Sequence, residues 1–471
     1  ERLFAATGKT VAVVGAGPAG LAAAHSLALF GHRVTIFEAF EEAGGMLMYG
    51  IPAFRLPRNI INEEVFNVTR QGISLQTGVT IGKDIMAKEL MEKHDAVVMA
   101  LGCQKPRSMR VPGEDLPGVY SGLDFMMRVN SGEKGCVGKR VFVIGGGFTA
   151  MDCCRSAKRL GAEEIYVAIR GVEEDLTVPL DEIREIHREG IRFLSLVSSV
   201  AVEGEDRVTG IRFVRNRFGG VRGSSGRRVV PIEGSDFTME ADTIIAAIGQ
   251  TPQHELAALS DEEVKFDEVT GESNVPGLYG AGDYVRWAST VIEAVGHGRR
   301  VAENVDEYLV NRRRRHQVVT MKPTQNTHRE RPWDFIKKHE MPTLSFEDRL
   351  ESQEAEVETG FTEEIGHDAA KRCYLCNLKY EIYIPNCIYC RWCIDVCPRD
   401  CIELVTDLDN DHPAHVEEDK VTTKWNRVAG VVIDSDRCIR CGECYRVCPT
   451  QCIHVTEVGL QDRCVSRESS E

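Results

Sequence analysis

The chain has 471 residues, too many for one ordinary domain, and its 42 % hydrophobic content excludes a disordered polymer. Its 72 acidic against 57 basic side chains give a formal net charge of −15, which argues against nucleic acid as a partner. Of 17 cysteines only Cys103, Cys136, Cys153 and Cys154 precede residue 373, a clustering that favours metal-bound thiolates in a reducing, cytoplasmic compartment over a disulfide scaffold.

Thr10 to Val14 is a β-rich run feeding Gly15-Ala-Gly17-Pro18-Ala-Gly20, then a helical stretch to Phe30 and a second strand, Val34 to Phe37, that ends at Glu38. Val11 to Phe30 has nearly the length of a membrane span, but its glycines and the edge at Gly31-His32-Arg33 read as strand, tight turn and buried helix. No transmembrane segment or signal peptide is expected, and the sequence opens on Glu1 rather than Met. Strand, turn, helix, second strand and terminal acid occur in the order of a dinucleotide fold. The glycines admit a pyrophosphate at the helix N-terminus, and Glu38 is placed to accept from an adenosine ribose.

The pattern recurs. Arg140 to Ile144 leads to Gly145-Gly-Gly147-Phe148-Thr149-Ala150, a helix through Leu160 and a strand from Glu164 to Ile169. This strand ends at Arg170, suited to a 2′-phosphate, with Glu173, Glu174 and Asp175 close behind to disfavour one; NADH and NADPH both stay open. Two such units in one chain imply two nucleotides, a held flavin and an exchangeable nicotinamide. Cys153-Cys154 lacks the spacing of a redox-active pair and is expected to be structural. Asp181, Arg184 and Glu185, near His187, are expected on a solvated helix face, and no catalytic side chain is assigned.

Leu278-Tyr-Gly280-Ala-Gly282-Asp283 reads as a strand ending in a glycine turn whose carboxylate can hold the flavin's ribityl region, and Thr290 to Leu309 reads as the helix that follows. The expected fold is therefore α/β, with two nested Rossmann-like dinucleotide-binding domains of the glutathione-reductase-like kind. Residues 1–118 and 251–310 are assigned to FAD and 119–250 to NAD(P), followed by a linker strap over 311–372 and an α+β two-[4Fe–4S] ferredoxin domain over 373–471.

Residues 8–310 resemble the small subunit of glutamate synthase, its relative in the NADH-dependent ferredoxin–NADP transhydrogenase, and the flavin/nicotinamide region of dihydropyrimidine dehydrogenase. The likeness rests on Gly44 to Pro57, Pro112-Gly113-Glu114, Gly145 to Asp152, Ala247 to Pro252, Gly280 to Asp283 and Thr290 to Ala294. It implies that Gly45, Leu47, Arg55, Asp283 and Val291 line the FAD site. Gly145 to Thr149, Arg170, Ile248 and Gly249 would then surround the nicotinamide dinucleotide. The chain departs from the family at Phe148, usually Asn, and at Gly171, usually a second arginine. Cysteine-bearing N-terminal clusters of the resembling proteins are expected to be absent or supplied by another subunit.

Beyond 310, Arg312 to Arg315 reads as a solvated helix terminus or docking patch, and a short helix is expected over Glu363 to Arg372. Cys387-x2-Cys390-x2-Cys393-x3-Cys397-Pro398 repeats as Cys438-x2-Cys441-x2-Cys444-x3-Cys448-Pro449, the spacing that holds two [4Fe–4S] clusters. Because the fourth cysteine serves the other run's cluster, Cys387, Cys390, Cys393 and Cys448 are assigned to one cube and Cys438, Cys441, Cys444 and Cys397 to the other. Cys401 and Cys452 are equivalent in the repeat and expected to be structural. Cys373-x2-Cys376 cannot complete a tetrahedral site unaided; packed structural thiols and a half-site shared with Cys464, another side chain or a partner chain are both open.

Together these features describe an NAD(P)H-dependent electron-transfer subunit linking nicotinamide, FAD and two [4Fe–4S] clusters to a partner. Expected partners are a catalytic redox subunit, other iron–sulfur subunits or a soluble ferredoxin. An electron-bifurcating subunit and a self-contained reductase of a small organic substrate are the alternatives.

Overall fold

The computed structural model describes residues 4–219, 229–257, 263–324, 328–351, 354–408 and 418–464. These fall into two compact units, one of residues 1–314 with 343–359 and the other of 315–342 with 360–471.

The first unit contains two parallel five-stranded sheets built on one plan. In the first, β1 (Thr10–Val14) leads through α1 (Pro18–Leu29) to β2 (Arg33–Phe37). The strand order is 278–280, 96–99, β1, β2, 74–76, parallel throughout. In the second, β3 (Arg140–Ile144) leads through α2 (Phe148–Arg159) to β4 (Glu164–Ala168), in the order 119–121, 243–246, β3, β4, 192–194, also parallel. Strands covered on both faces are continuous apolar runs: Val11 to Val14 and Val141 to Ile144 are buried throughout. The Val11–Phe30 stretch is thus strand, turn and helix. Among the described residues no helix is long and apolar enough to cross a membrane.

α3 (Leu180–Arg188) packs on α2, and an antiparallel sheet of Val197–Glu203, Gly210–Phe218 and Phe237–Glu240 closes the second fold. The two chain crossings between the folds pair as a short antiparallel ribbon, Lys105–Pro106 with Gln250–Thr251. α4 (Val291–Val310) starts at a capping box: Thr290 Oγ1 accepts from Glu293 N and the Glu293 carboxylate accepts from Thr290 N at 2.9 Å. α4 lies against α1 so closely that a Cβ on Gly298 would come within 2.2 Å of Ala19 O.

In the second unit, β5 (Arg315–Pro323) pairs antiparallel with β7 (Ile453–Cys464). β6 (Leu378–Ile382), which follows α5 (Glu363–Lys371), pairs with the other edge of β7. A hairpin, Ile402–Val405 with Gly430–Ile433, completes a core in which Leu378, Ile382, Leu404, Val431 and Ile453 pack around the clustered cysteines. The stretch expected as a strap is divided: β5 belongs to this sheet, whereas 343–359 packs on the first unit, where Val357 N donates to Phe54 O at 3.0 Å.

Candidate functional site

The two glycine turns are superimposable in their chemistry. Gly15 (φ 103°) and Gly145 (φ 134°) take a conformation that disfavours side chains, and a Cβ on them would meet Ala100 O at 2.4 Å and Ala247 O at 2.2 Å. At the third position a Cβ on Gly20 would sit 1.9 Å from Gly15 O, while the second motif places Ala150 there, fully buried. The central glycines differ from these. Gly17 meets nothing nearer than 3.9 Å and Gly147 nothing within 4 Å. Their open side faces the space above each helix N-terminus, where unpaired N–H groups and the helix dipole favour a pyrophosphate.

A cavity of about 660 Å³ opens above the first turn. It is lined by Gly15, Gly17, Pro18, Glu38, Gly45, Leu47, Arg55, Asp283 and Val291, and Phe148 and Thr149 of the second motif reach the same space. Glu38 is buried, its carboxylate accepting from Ala16 N at 2.7 Å and Phe40 N at 3.0 Å, which leaves lone pairs for a ribose. Gly20 and Gly282 lie behind the lining. Gly282 (φ 64°) donates its N–H to Nδ1 of buried His297 at 2.9 Å, and burial pushes that imidazole down to about 4. Asp283 is raised by burial, an effect opposed by Ser289, whose N–H and hydroxyl donate to it. Cys103, whose thiol donates to Asp283 O at 3.2 Å, is pushed up to about 12, by burial first and then by the Asp283 charge.

The remaining nicotinamide candidates stand apart from that cavity: Gly145, Gly147 and Ala150 at the second turn, and Arg170, Ile248 and Gly249 beyond it. Arg170 is exposed, its carbonyl accepting from Asn216 at 3.4 Å, and exposed Gly249 (φ 102°) precedes the crossing strand. Phe148 is 52 % exposed.

Sequence reasoning missed three supports. Arg58 donates to Leu47 O and Ile51 O, both at 2.8 Å, and Asn130 to Tyr49 O at 2.8 Å, so the Gly44–Pro57 loop is held from two sides. The third is a buried charge network. Arg55 bonds Asp152 on α2 and Glu182 on α3, while Arg155 and Arg159 converge on Glu189 at 3.0 and 2.9 Å. Arg349, from the 343–359 segment, reaches Glu185 at 2.5 Å. Burial outweighs the arginines at Asp152, whose carboxyl rises to about 6, whereas Glu182 and Glu189 are held below the usual range by their guanidinium partners despite burial. Of the face expected to be solvated, Asp181 and Arg184 are exposed but Glu185 turns inward. Cys153 and Cys154 are wholly buried in α2 and raised by burial, inert rather than redox-active.

In the second unit, the two cysteine runs build matching cages. Cys387, Cys390, Cys393 and Cys448 surround one small cavity, and Cys397, Cys438, Cys441 and Cys444 another. Positive φ recurs in register through the repeat, at Tyr389 and Arg440, Arg391 and Gly442, and Asp400 and Gln451. Among the described residues no three His, Cys, Asp or Glu converge as a single-ion site. The thiols stand around a void instead, an all-sulfur donor set that suits a polynuclear iron–sulfur cluster. Cys401 and Cys452 are buried beside the cages, with Sγ 3.3 Å from Cys397 Sγ and 3.4 Å from Cys448 Sγ.

Comparison with known proteins follows the same division. Residues 9–298 match the family model described as pyridine nucleotide-disulphide oxidoreductase, and 386–452 match the 4Fe-4S dicluster domain. The β subunit of the NADP(+)-dependent formate dehydrogenase of Moorella thermoacetica is 38 % identical over 66 % of this chain and 45 % of its own length. The glutamate synthase (NADPH) small chain of Azospirillum brasilense is 35 % identical over 64 % of this chain and 67 % of its own. The β subunit of the NADPH-Fe(3+) oxidoreductase of Geobacter sulfurreducens is 32 % identical over 78 % of this chain and 61 % of its own. The chain thus spans less than two thirds of the first and third of these relatives. FprA from Mycobacterium tuberculosis in complex with NADPH shares the fold, with a TM-score of 0.57 at 20 % identity over 64 % of this chain and 85 % of that one.

Proposed function

The chain belongs to the pyridine nucleotide-disulphide oxidoreductase family, joined here to a 4Fe-4S dicluster domain, and from that premise we propose that it is the electron-input subunit of a multisubunit oxidoreductase. The observation that carries the proposal is the coexistence in one chain of two dinucleotide turns with open central glycines and two four-thiol cages. FAD and NAD(P)H would supply two-electron hydride chemistry and the clusters one-electron steps.

Within this reading, residues 1–118 with 251–310 serve FAD, 119–250 serve the nicotinamide dinucleotide, and the cysteine module that ends the chain serves the clusters. Gly15, Gly17, Pro18 and Gly20 bring α1 to the FAD pyrophosphate while Glu38 accepts from its ribose. Gly45, Leu47, Arg55, Asp283 and Val291 enclose the flavin, with Gly282 shaping the turn that presents Asp283. Gly145, Gly147, Phe148, Thr149 and Ala150 perform the same service for the nicotinamide dinucleotide, flanked by Arg170, Ile248 and Gly249. Arg170 meets the 2′ end of NADPH; its acidic neighbours Glu173 to Asp175 weigh towards NADH. No side chain acts as nucleophile or acid–base. The protein's part is to hold the rings in a cavity whose apolar walls, Leu47 and Val291 among them, exclude water.

Exposed Ile388 and Trp392 beside the first cage suit contact with a redox partner. Such a partner, whether a catalytic subunit, another iron–sulfur subunit or a cytoplasmic ferredoxin, is in keeping with the subunit names of the relatives. The test is an anaerobic optical titration of cofactor-loaded protein with NADH and, separately, NADPH. Bleaching of flavin and clusters by one donor establishes the input reaction; a loaded protein that neither donor bleaches sinks it.

A further inference from the structure

Cys373-Tyr-Leu375-Cys376 lies between α5 and β6 and belongs to neither cage. Both its thiols are exposed, unlike Cys401 and Cys452, so they are not the packed structural cysteines that sequence allowed for. The loop is fixed all the same. Cys373 N donates to Ala370 O at 3.1 Å, Leu378 N to Leu375 O at 2.8 Å, and Leu375 N to Cys373 Sγ at 3.4 Å.

Its backbone repeats that of the cages. The third residue of each Cys-x-x-Cys takes a left-handed conformation although none is glycine: φ is 54° at Tyr389, 56° at Arg440 and 50° at Leu375. Such a conformation is uncommon and disfavoured for bulky residues. In the first two loops it accompanies two thiols turned to one centre. The third loop keeps the same feature, yet among the described residues it belongs to no group of three or more His, Cys, Asp or Glu side chains that could hold a metal.

We propose that Cys373 and Cys376 form half of a thiolate-bound metal site whose remaining ligands come from a partner chain. Two cysteinates at this spacing chelate two positions of a tetrahedral centre, and thiolate softness selects zinc or an iron–sulfur cluster over hard cations. Placed on the surface between α5 and the central sheet, the pair would bind the partner at a fixed point of the second unit. The side chain of Cys464 lies outside the described residues.

The test uses Co²⁺ alone as the probe on anaerobically purified, cofactor-loaded protein. The isolated chain should bind about one cobalt weakly through its sulfurs, and the native complex should hold it more tightly, with more sulfur scatterers at the cobalt absorption edge. The double variant Cys373→Ser/Cys376→Ser should lose both signals while keeping its cage iron; no cobalt bound in the complex overturns the site. In the isolated native complex the same variant should lose either zinc or iron, which identifies the natural metal. Cobalt binding unchanged in the double variant overturns the site. So does recovery of the two cysteines from the complex as a disulfide that reduces on addition of NAD(P)H, which would make them a redox pair instead.

Discussion

Arg55 and Asp152 are joined by a salt bridge that runs from the loop over the first nucleotide turn to the helix of the second. One guanidinium therefore belongs both to the lining of the flavin-sized cavity and to the neighbouring fold, where it also holds Glu182. Replacing Arg55 by Met should strand the buried Asp152 carboxylate and leave Glu182 with Arg155 as its cation, at 3.3 Å, costing about 3 kcal/mol, measured by urea unfolding. Adding Asp152→Asn should recover part of that loss. Equal stability of the single variant and the parent would mean that the bridge is idle.

The glycines offer a separation of packing from binding. Gly20→Ala drives a methyl into Gly15 O and should abolish soluble, flavin-retaining protein. Gly147→Ala adds its methyl to empty space, so unfolding should move by no more than about 0.5 kcal/mol, while the KM for the nicotinamide donor rises. A Gly147→Ala protein with unaltered KM would place the dinucleotide elsewhere.

Removing a cage ligand should divide the electron path. Cys390→Ser is expected to deplete one cube and slow reduction of a one-electron acceptor, yet leave reduction of the flavin by NAD(P)H intact. Iron analysis and stopped-flow absorbance report the two steps separately. Parallel loss of both in a folded, flavin-loaded variant contradicts the linear path.

Cys401 predicts a subtler effect. A thiol 3.3 Å from Cys397 Sγ can donate to the ligand sulfur and stabilise the more negative, reduced cluster. Cys401→Ala should lower that cluster's potential by roughly 30–60 mV, where 59 mV is tenfold for one electron. A redox titration followed by electron paramagnetic resonance measures it, with Cys452→Ala as the matching change on the other cage.

The pH dependence of stability carries the mark of His297. Its folded value, about 4, lies below the ordinary 6.5 because burial disfavours the imidazolium, and the Gly282 N–H requires an unprotonated Nδ1. Below pH 6.5 the unfolded chain takes up a proton that the folded one refuses, so stability falls as pH drops from 6.5 towards 4. His297→Asn, which keeps an acceptor without the titration, should flatten that limb of a thermal-melt series.

Much of the fold was legible because it is local. Thr10–Val14 and Arg140–Ile144 are strands at the residues their apolar runs mark, and α4 begins at the Thr290–Glu293 box. The cage partners followed from spacing alone, since a duplicated motif fixes which cysteine crosses over. What escaped depended on distant pairing. Glu185 sits on α3 where charge patterning suggests solvent, and only the arrival of Arg349 from 164 residues away turns it inward. Arg58 and Asn130 bind backbone carbonyls, which leave no imprint on a side-chain pattern. β5 follows a charged run and is set by pairing with β7, far along the chain.

The return of residues 343–359 to the first unit, between two stretches that belong to the second, bears on how the protein can be taken apart. No single scissile bond separates the flavin half from the iron–sulfur half. A fragment beginning at 373 would lack β5 and expose one edge of β7 to foreign strands, while a fragment ending at 314 would leave Glu185 without Arg349. Limited proteolysis between 324 and 343 should therefore yield nicked chains that still migrate together under native conditions and part only in denaturant. The two redox halves are inherited, expressed and lost as one piece.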